Sequence, residues 1–427
     1  MTRGSPAAAA RDAAFVFNCS HNGLSIIREL GRRGVREIRA LDSVRSLGTY
    51  SRYAVYDRCP DPLTDESAFV GHLLRLARGR ADRPVLFPTN DQWAQALAHH
   101  KEALSRHYHV WVADGPVVDL LIHKPRFYEW AMARGHPVPQ SWTDAQADAI
   151  PADRYPIAAK PAFRVASSDS KEQAVRAAER HGERLAVLED RAQLEAYRRA
   201  HAGERGGYIL QEYVRGLSDC MYTVGVYANR DHEVKGVFTG RKVRGFPPDV
   251  GDCMVGQVEK VDAELVDLSK RMCRELRYTG LAEFEFKRDA VSGRYFLIEI
   301  NPRSWSWIGI TPACGVSLPW MAYCDMTGCA PVAYAESDRP DGSVRFARVR
   351  DDRTNCLARN RRAGYPQWHM TRSQWRDSLA CEHLVDAEFA RDDWAPWLVS
   401  GWRSGLPARA WAGAKARIGR LWTRPKA

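Results

Sequence analysis

Apolar runs in the first part of the chain alternate with stretches of helical spacing. Ala13–Ser20, Val35–Leu41 and Pro84–Phe87 are strand-like runs, and a pattern of helical period follows each of them. Strands that alternate with helices predict a parallel sheet covered by helices. We therefore expect a Rossmann-like α/β domain over residues 15–117, preceded by a short disordered lead-in at residues 1–14.

The pattern changes after residue 117. Residues 118–207 mix helical spacing with short strands such as Tyr155–Lys160, and residues 208–340 carry alternating runs typical of antiparallel strands. These two segments are predicted to be α+β lobes. Residues 341–427 are rich in Trp and Arg, and strand signals fade there, so we expect a separate C-terminal extension.

Two neighbouring strands in the second lobe place oxygen atoms on one face. Alternation puts Glu283 with Glu285, and Glu299 with Asn301, opposite phenylalanine and isoleucine side chains. Buried carboxylates oppose folding unless something neutralises them, and we expect no cation of the protein among these four. A hard divalent cation such as Mg²⁺ neutralises such a set. Spacing alone is equally compatible with a solvated outer face, but Arg303 suits a nearby phosphate and favours the metal site.

The residues around this hairpin resemble the C-terminal signature of the ATP-grasp superfamily. The matching segments are Gly280–Lys287 (GLAEFEFK) and Leu297–Arg303 (LIEINPR). In that superfamily two acidic residues and an asparagine hold two Mg²⁺ ions against the phosphates of ATP. The resemblance implies an ATP-grasp fold behind a Rossmann-like pre-ATP-grasp domain, with ATP and two Mg²⁺ ions, or Mn²⁺, as cofactors. It implies Glu283, Glu299 and Asn301 as the metal ligands, with Glu285 as the doubtful fourth member.

The resemblance extends upstream to the nucleotide site. Lys124 and Lys160 lie where the superfamily has two lysines that contact phosphates, although each lysine alone is more typical of a solvated surface position. The segment Leu210–Gly216 resembles the hinge that reads the adenine edge, and Asp219 resembles the acid that binds ribose. Alone, the hinge segment is also typical of an ordinary core strand. The implied hinge contacts are Gln211, Glu212, Tyr213 and Val214.

A narrower resemblance covers residues 15–330, most of the chain. Gly240–Gly251, Asn301–Trp307 and Ala313–Pro319 are similar to a bacterial group of ATP-grasp carboxylate–amine ligases of the D-aspartate ligase type. The resemblance implies that ATP phosphorylates a carboxylate and that an amine, by default an amino acid, attacks the acyl phosphate. It implies three catalytic residues, Arg303, Arg241 and Lys242. For the last two, a basic surface loop is an equal alternative.

One segment departs from the superfamily pattern. Where many members have a glycine-rich lid, residues 162–170 read AFRVASSDS, so closure of this loop over ATP is an open question. The alternative function is therefore a non-catalytic nucleotide-binding or membrane-associated protein of the same fold. A carboxylase or kinase-like use of the ATP site is a further alternative, and we find no biotin-attachment segment that would favour the carboxylase.

Charge and composition indicate whether the chain contacts a membrane, nucleic acid or a second copy of itself. The net charge is +11, and seven Lys or Arg residues with no acidic residue follow Gly401. Pro407–Trp422 can be drawn as a basic amphipathic helix, which either lies on an anionic membrane surface or packs on the body. No nucleic-acid motif is present, so we expect no nucleic acid, and a homodimer is compatible with the sequence. Ten cysteines without a CxxC pair and no long apolar run favour a reduced, cytoplasmic protein.

Overall fold

The apolar runs of the first 110 residues form a parallel sheet. The computed structural model describes residues 12–161, 185–202, 208–246, 251–357 and 369–403. The first sheet has five parallel strands in the order β3-β2-β1-β4-β5. Its strands are β1 Ala14–Phe17, β2 Ile38–Asp42, β3 Val55–Arg58, β4 Val85–Phe87 and β5 His109–Val110.

Helices separate these strands and cover the sheet, as the alternating pattern predicts. Asp65 and Asn90 cap the second and third helices, because each side chain accepts a hydrogen bond from the first helical turn. Phe17, Phe69 and Trp93 pack together in the core beneath. The helices up to the end of this region are α1 His21–Arg32, α2 Glu66–Ala77, α3 Asp91–His99, α4 Lys101–Leu104, α5 Gly115–Ile122 and α6 Lys124–Ala133, with a 3₁₀ turn at Leu47–Tyr50.

A small antiparallel sheet follows, in the order β6-β9-β7-β8. One helix packs on it, and Leu194 of that helix is fully buried. The elements are β6 Ser141–Thr143, β7 Ile157–Pro161, β8 Ala186–Leu188, α7 Arg191–Ala200 and β9 Tyr208–Glu212, with 3₁₀ turns at Asp144–Ala149 and Ala152–Arg154.

The third sheet is the largest and runs in the order β14-β13-β10-β11-β12-β16-β17, with β15 paired to β11. Its central pairs are antiparallel, as the alternating runs predict. The strands are β10 Met221–Ala228, β11 Val234–Phe246, β12 Asp252–Val258, β13 Gly280–Arg288, β14 Tyr295–Asn301, β15 Ala335–Glu336, β16 Val344–Ala347 and β17 His383–Asp386. The remaining helices are α8 Ala263–Glu275, α9 Leu318–Thr327, α10 Val349–Cys356, α11 Arg372–Asp377 and α12 Ala395–Arg403, with 3₁₀ turns at Ser218–Cys220 and Ile308–Cys314.

Residues after 340 differ from the sequence-based expectation. Strand β16 pairs with β12 and strand β17 pairs with β16, so this region continues the third sheet. Each strand has only four residues, which is too short for alternation to stand out from its Arg- and Asp-rich surroundings. The exact domain boundaries remain predictions.

The mixed α/β and α+β architecture is thus confirmed. Among the described helices, none combines the length and the apolar character that a bilayer crossing requires. Three predicted features, the lead-in up to residue 11, the loop at 162–170 and the basic helix at 407–422, lie outside the described residues.

Candidate active site

The predicted acidic hairpin is formed by β13 and β14. Glu283 stands opposite Asn301, and Glu285 stands opposite Glu299, in antiparallel register. Beyond the Glu285–Glu299 pair, a bulge at Ile298 of β14 shifts the register, while the alternation of β13 continues. The four side chains named in the sequence therefore do meet on one face, and the apolar residues Phe284, Phe286 and Ile300 are buried on the other.

Glu283 is the most deeply buried carboxylate of the hairpin, with 2% of its surface exposed. Its oxygens accept hydrogen bonds from Thr223 Oγ1 at 3.1 Å, Trp307 Nε1 at 3.2 Å and Asn301 Nδ2 at 3.0 Å. Desolvation and the neighbouring Glu285 nevertheless raise the pKa of Glu283 to about 8. The protein alone thus leaves negative charge at this position only partly compensated.

The expectation that no protein cation lies among these carboxylates is wrong. Lys242 reaches in from β11, and its Nζ donates to Glu285 Oε2 at 3.2 Å. Burial alone would lower the pKa of Lys242, but Glu285 and Glu283 outweigh it and raise the pKa, so the amine stays charged. Sequence reasoning missed this pairing because Lys242 lies more than 40 residues from its partner, on a strand that is not adjacent to β13.

Arg303 follows the end of the hairpin, and hydrogen bonds fix its guanidinium. Its Nη2 donates to Asn301 Oδ1 at 2.9 Å, and its Nε donates to Asp91 Oδ1 at 2.9 Å. Asn301 therefore bridges Arg303 and Glu283, with its oxygen toward one and its amide nitrogen toward the other. Asp91 is the first residue of α3, so the hairpin is attached here to the first domain.

Lys124 and Glu299 lie on the wall of one pocket. The pocket lies between the start of α6 and the end of β14 and also includes Asp91 and Asn301. Lys124 is the first residue of α6, where His123 caps the helix by accepting a hydrogen bond from Arg126 N. A lysine and a carboxylate that line the same cleft can act on one polyanionic ligand and its cation.

Lys160 lies at the end of β7 and faces the same cluster. Its Nζ donates to Gln211 Oε1 at 2.9 Å, and Gln211 is in turn held by Ser141. Desolvation, together with the charges of Lys124 and Lys287, lowers the pKa of Lys160 to about 8. A half-buried lysine flanked by two others favours an anion as its partner.

Lys287 is a site residue that sequence reasoning missed. It is 6% exposed, and its Nζ lies 5.6 Å from the centre of the Tyr213 ring. A signal was available, because Lys287 continues the alternation of Glu283 and Glu285 along the same strand. Thr223 and Trp307, which hold Glu283, carried no comparable signal, since only the tertiary fold brings them to the hairpin.

The hinge segment is anchored on both sides. Glu212 N donates to Gln140 O at 2.8 Å, and Arg215 N donates to Asp289 Oδ2 at 2.8 Å in the turn of the acidic hairpin. Val214 is buried between these two anchors. The segment therefore connects the small sheet to the hairpin, and its backbone runs beside the cluster of lysines.

Arg241 and Asp219 are not brought into the acidic cluster. Neighbouring residues of a strand point to opposite faces, so Arg241 lies on the face away from Lys242. Its guanidinium pairs with Glu259 at 2.8 Å and donates to Asp219 O at 3.2 Å. Asp219 itself is exposed at the hinge. The residues that do converge are Lys124, Lys160, Gln211, Lys242, Glu283, Glu285, Lys287, Glu299, Asn301 and Arg303.

The donor set fits a hard divalent cation. The side chains of Glu283, Glu299 and Asn301 share one face of the hairpin, with Glu285 next to them, and the amide oxygen of Asn301 is directed toward Arg303. Mg²⁺ prefers such oxygen ligands and usually completes its coordination with water and phosphate oxygens. The raised pKa of Glu283 is the physical sign that a cation would relieve unfavourable charge here.

Comparison with known proteins gives both a sequence relative and structural relatives. No protein-family model matches the chain. The D-aspartate ligase of Enterococcus faecium (strain Aus0004) is 25% identical over 254 residues, which is 56% of this chain and 58% of that protein. The match therefore spans less than two thirds of that relative's length.

Solved structures resemble a larger share of the chain. The biotin carboxylase domain of a 2-oxoglutarate carboxylase from Hydrogenobacter thermophilus, determined with MgADP, ADP and bicarbonate, matches with a TM-score of 0.57 and 15% identity, covering 78% of this chain and 73% of that one. An L-amino acid ligase from Bacillus licheniformis matches with a TM-score of 0.55 and 14% identity, covering 75% of each chain. At this level of identity, the likeness shows the fold.

Proposed function

We propose that this chain, which has the ATP-grasp fold, is an ATP-dependent carboxylate–amine ligase with an amino acid as one substrate. The observation that carries the proposal is the junction of two opposite charge clusters. Glu283, Glu299 and Asn301 offer oxygen ligands for Mg²⁺, while Lys160 and Lys287 lie close by with the charge that phosphates need. Each cluster alone is costly to bury, and MgATP would stabilise both.

The reaction proceeds in two balanced steps. An oxygen of the substrate carboxylate attacks the γ-phosphorus of ATP, and the bond from that phosphorus to the β,γ-bridging oxygen breaks, giving an acyl phosphate and ADP. The amine nitrogen then attacks the acyl carbon, phosphate leaves with its bonding electron pair, and the nitrogen loses a proton to give the amide. Mg²⁺ held by Glu283, Glu299 and Asn301 supplies neutralisation of the polyphosphate charge.

The lysines and Arg303 orient the anionic groups. Lys124 and Lys160 approach from the α6 and β7 sides, and Lys287 approaches along the hairpin strand itself. Arg303 is fixed by Asp91 and Asn301, which makes its guanidinium a preorganised donor for the acyl phosphate. Lys242 neutralises Glu285 in this proposal rather than contacting the γ-phosphate, and Arg241 has a structural role at the hinge through Glu259.

The remaining substrate and partner assignments rest on sequence resemblance. D-Aspartate is the first amine to test, because it is the substrate that the relative's name gives. The carboxylate is proposed to be a small molecule or a cell-envelope precursor, with two Mg²⁺ ions, or Mn²⁺, as cofactors. We further propose a cytoplasmic protein, with a homodimer and peripheral membrane contact through residues 401–427 as secondary hypotheses. Sedimentation with anionic vesicles, using the full chain and a chain that ends at residue 403, tests the membrane contact.

A phosphate-release screen tests the proposed function. Amino acids, starting with D-aspartate, are paired with candidate carboxylates in the presence of MgATP, and each hit is checked for ADP and an amide product. We expect release that requires both substrates and is abolished in Glu299→Gln. Glu336→Gln is the matched control. Glu336 forms an ion pair with Lys270 outside the proposed site, and its side chain is about half exposed.

Two outcomes would contradict the proposal. Wild-type turnover in Glu299→Gln would remove the metal assignment. ATP binding without amine-dependent ADP formation, across the whole screen, would instead support the non-catalytic nucleotide-binding alternative.

A further inference from the structure

A second cluster of ligand-type side chains lies where the C-terminal region meets the first domain. His21 is the first residue of α1, Asp351 lies in the first turn of α10, and Glu388 follows β17. One nitrogen or oxygen atom from each residue lies within 4.8 Å of the others. His21 is more than 300 positions away from the other two residues in sequence, and none of the three belongs to the proposed ATP site.

Glu388 provides an independent sign that something is missing from this cluster. The residue is 3% exposed, and its Oε2 has no hydrogen-bond partner among the described residues. The carboxylate otherwise interacts with the Ser400 side chain and with His21, whose Nε2 lies 3.4 Å from Oε1, which is longer than a good charged hydrogen bond. Buried carboxylate oxygens are normally satisfied, so an orphan beside an imidazole and a second carboxylate points to an absent ligand.

The surrounding backbone holds Glu388 in place. Its N–H donates to Asp386 Oδ1 at 2.8 Å, and its carbonyl oxygen accepts from Arg28 Nη2 at 2.7 Å. The side chain is thus presented from a fixed position rather than from a free loop. Access is available from the Asp351 side, whose side chain is 38% exposed.

We infer that His21, Asp351 and Glu388 bind a divalent transition-metal ion, with zinc as the best chemical fit. A mixed nitrogen and oxygen donor set suits zinc and its neighbours, whereas Mg²⁺ and Ca²⁺ prefer oxygen alone. Zinc accepts three protein ligands and fills its fourth position with water. The guanidinium of Arg348 pairs with Asp351, and Glu388 supplies the second carboxylate of the donor set.

Such an ion would attach the C-terminal region to the first domain. It would join α1 to two elements that follow residue 340, beside the ion pair of Arg28 with Asp393. Metal bound only by the folded chain stabilises that chain. The expected effect is therefore on stability, and it should be strongest for β16, β17 and α10, which lie on the C-terminal side of the contact.

The test uses the full chain, stripped of metal and kept in excess Mg²⁺ so that the proposed ATP site does not compete for zinc. After incubation with equimolar zinc and gel filtration, we expect one zinc ion per chain by elemental analysis. His21→Ala and Glu388→Gln should each weaken zinc binding at least about tenfold. Zinc should also raise the melting temperature of the wild type and not that of these variants.

Two matched controls separate this site from others. Cys329→Ser removes one sulfur of the described Cys324–Cys329 pair, whose Sγ atoms are 3.1 Å apart, and should leave zinc binding unchanged. Glu299→Gln alters the proposed ATP site and should also leave zinc binding unchanged. Anomalous scattering at the zinc edge in wild-type crystals locates the ion even if a variant fails to fold.

The inference is overturned if the wild type retains no zinc, or if the anomalous peak lies away from His21 and Glu388. It is also overturned if Cys329→Ser abolishes binding while Glu388→Gln does not. None of these results bears on amide formation, so they are distinguishable from failure of the proposed ligase activity.

Discussion

The acidic hairpin and the contact between α1 and residues 392–393 both bury charge, yet they do so in opposite ways. In the contact, Asp393 accepts from Arg28 Nε at 2.9 Å, Ser51 Oγ at 2.8 Å and Arg52 N at 2.9 Å. In the hairpin, three protein donors reach Glu283, and its pKa still rises to about 8.

The difference separates structural charge from charge held for a ligand. Asp393 is fully enclosed by partners that the chain itself supplies, so the ion pair with Arg28 is complete without any other molecule. The hairpin combines excess carboxylate with lysines whose charges repel one another, and desolvation together with this repulsion lowers the pKa of Lys160 to about 8. Substitutions should therefore affect folding in the first region and chemistry in the second.

The largest expected effect on folding comes from Asp393→Asn. The change keeps the shape but leaves the buried Arg28 guanidinium without its counter-charge, which should lower the free energy of unfolding by about 3–5 kcal/mol. Denaturant unfolding followed by fluorescence measures the loss. ATP-dependent turnover per folded molecule should stay near wild type. A large loss of turnover without denaturant would contradict the division between a structural region and a chemical one.

Lys160→Met should have the opposite effect, with turnover lost and stability retained. Removing a preorganised cation from the phosphate side of the site should reduce amine-dependent ADP formation by about 10²–10³-fold. Unfolding free energy should not fall, because the change removes a desolvated charge that Lys124 and Lys287 repel. Lys235→Met is the control, since Lys235 pairs with the exposed Glu233. Wild-type turnover in Lys160→Met would remove this lysine from the site.

The pH dependence of stability should differ in sign between the two regions. The folded-state pKa of Glu283 is raised from 4.5 to about 8, so without Mg²⁺ its contribution is fully present below pH 4.5 and is lost as the pH rises to 8. The loss should be at most about 5 kcal/mol, and it should be absent in Glu283→Gln. Arg32 lowers the pKa of Asp392, so that contribution is present above the usual Asp range and is lost on acidification.

Melting temperatures measured from pH 4 to 9 in EDTA check this prediction. Saturating Mg²⁺ with ADP should flatten the loss between pH 4.5 and 8, because a cation favours the ionised carboxylate. A wild-type profile that is already flat without metal would mean that Glu283 is compensated by the protein alone.

Arg32→Ala should have the smallest effect. Arg32 donates two hydrogen bonds to Asp392 at 2.8 Å, but its side chain is 45% exposed and that of Asp392 is 39% exposed. Exposed pairs of this kind contribute about 0.2–1 kcal/mol. Comparing this variant with Asp393→Asn in the same denaturant series shows whether burial, rather than ion pairing itself, gives the contact its strength.

The sequence correctly predicted which residues share one face of a strand, but it did not predict which distant residues contact that face. The alternation in β13 and β14 correctly placed Glu283, Glu285, Glu299 and Asn301 on one side, because a strand's side-chain direction depends only on its own residues. The same rule, applied to β11, separates Arg241 from Lys242, which the family resemblance had grouped together. Lys124 and Lys160 were predicted from the family resemblance alone, since nothing in the local pattern distinguishes them from surface lysines.

What the sequence left out depends on long-range packing. Lys242 reaches Glu285 across two strand pairings, and Trp307 reaches Glu283 from the segment that follows the hairpin. Strands β16 and β17 are short, and the residues around them are highly charged. Their pairing therefore depends on the sheet edge that β12 provides. Such contacts are decided by which surfaces the whole fold brings together.

The ion pair of Arg28 with Asp393 also has a consequence for synthesis. The two residues are 365 positions apart, so at about 5–20 residues per second the ribosome needs roughly 20–70 s to supply the second partner after the first. Helix α1 can form early, but its Arg28 face is completed only by the last described residues. We expect stalled nascent chains that lack residues 388–393 to be cleaved at α1 by protease, and chains that include these residues to resist, so the N-terminal domain matures only after residues 388–393 have been synthesised.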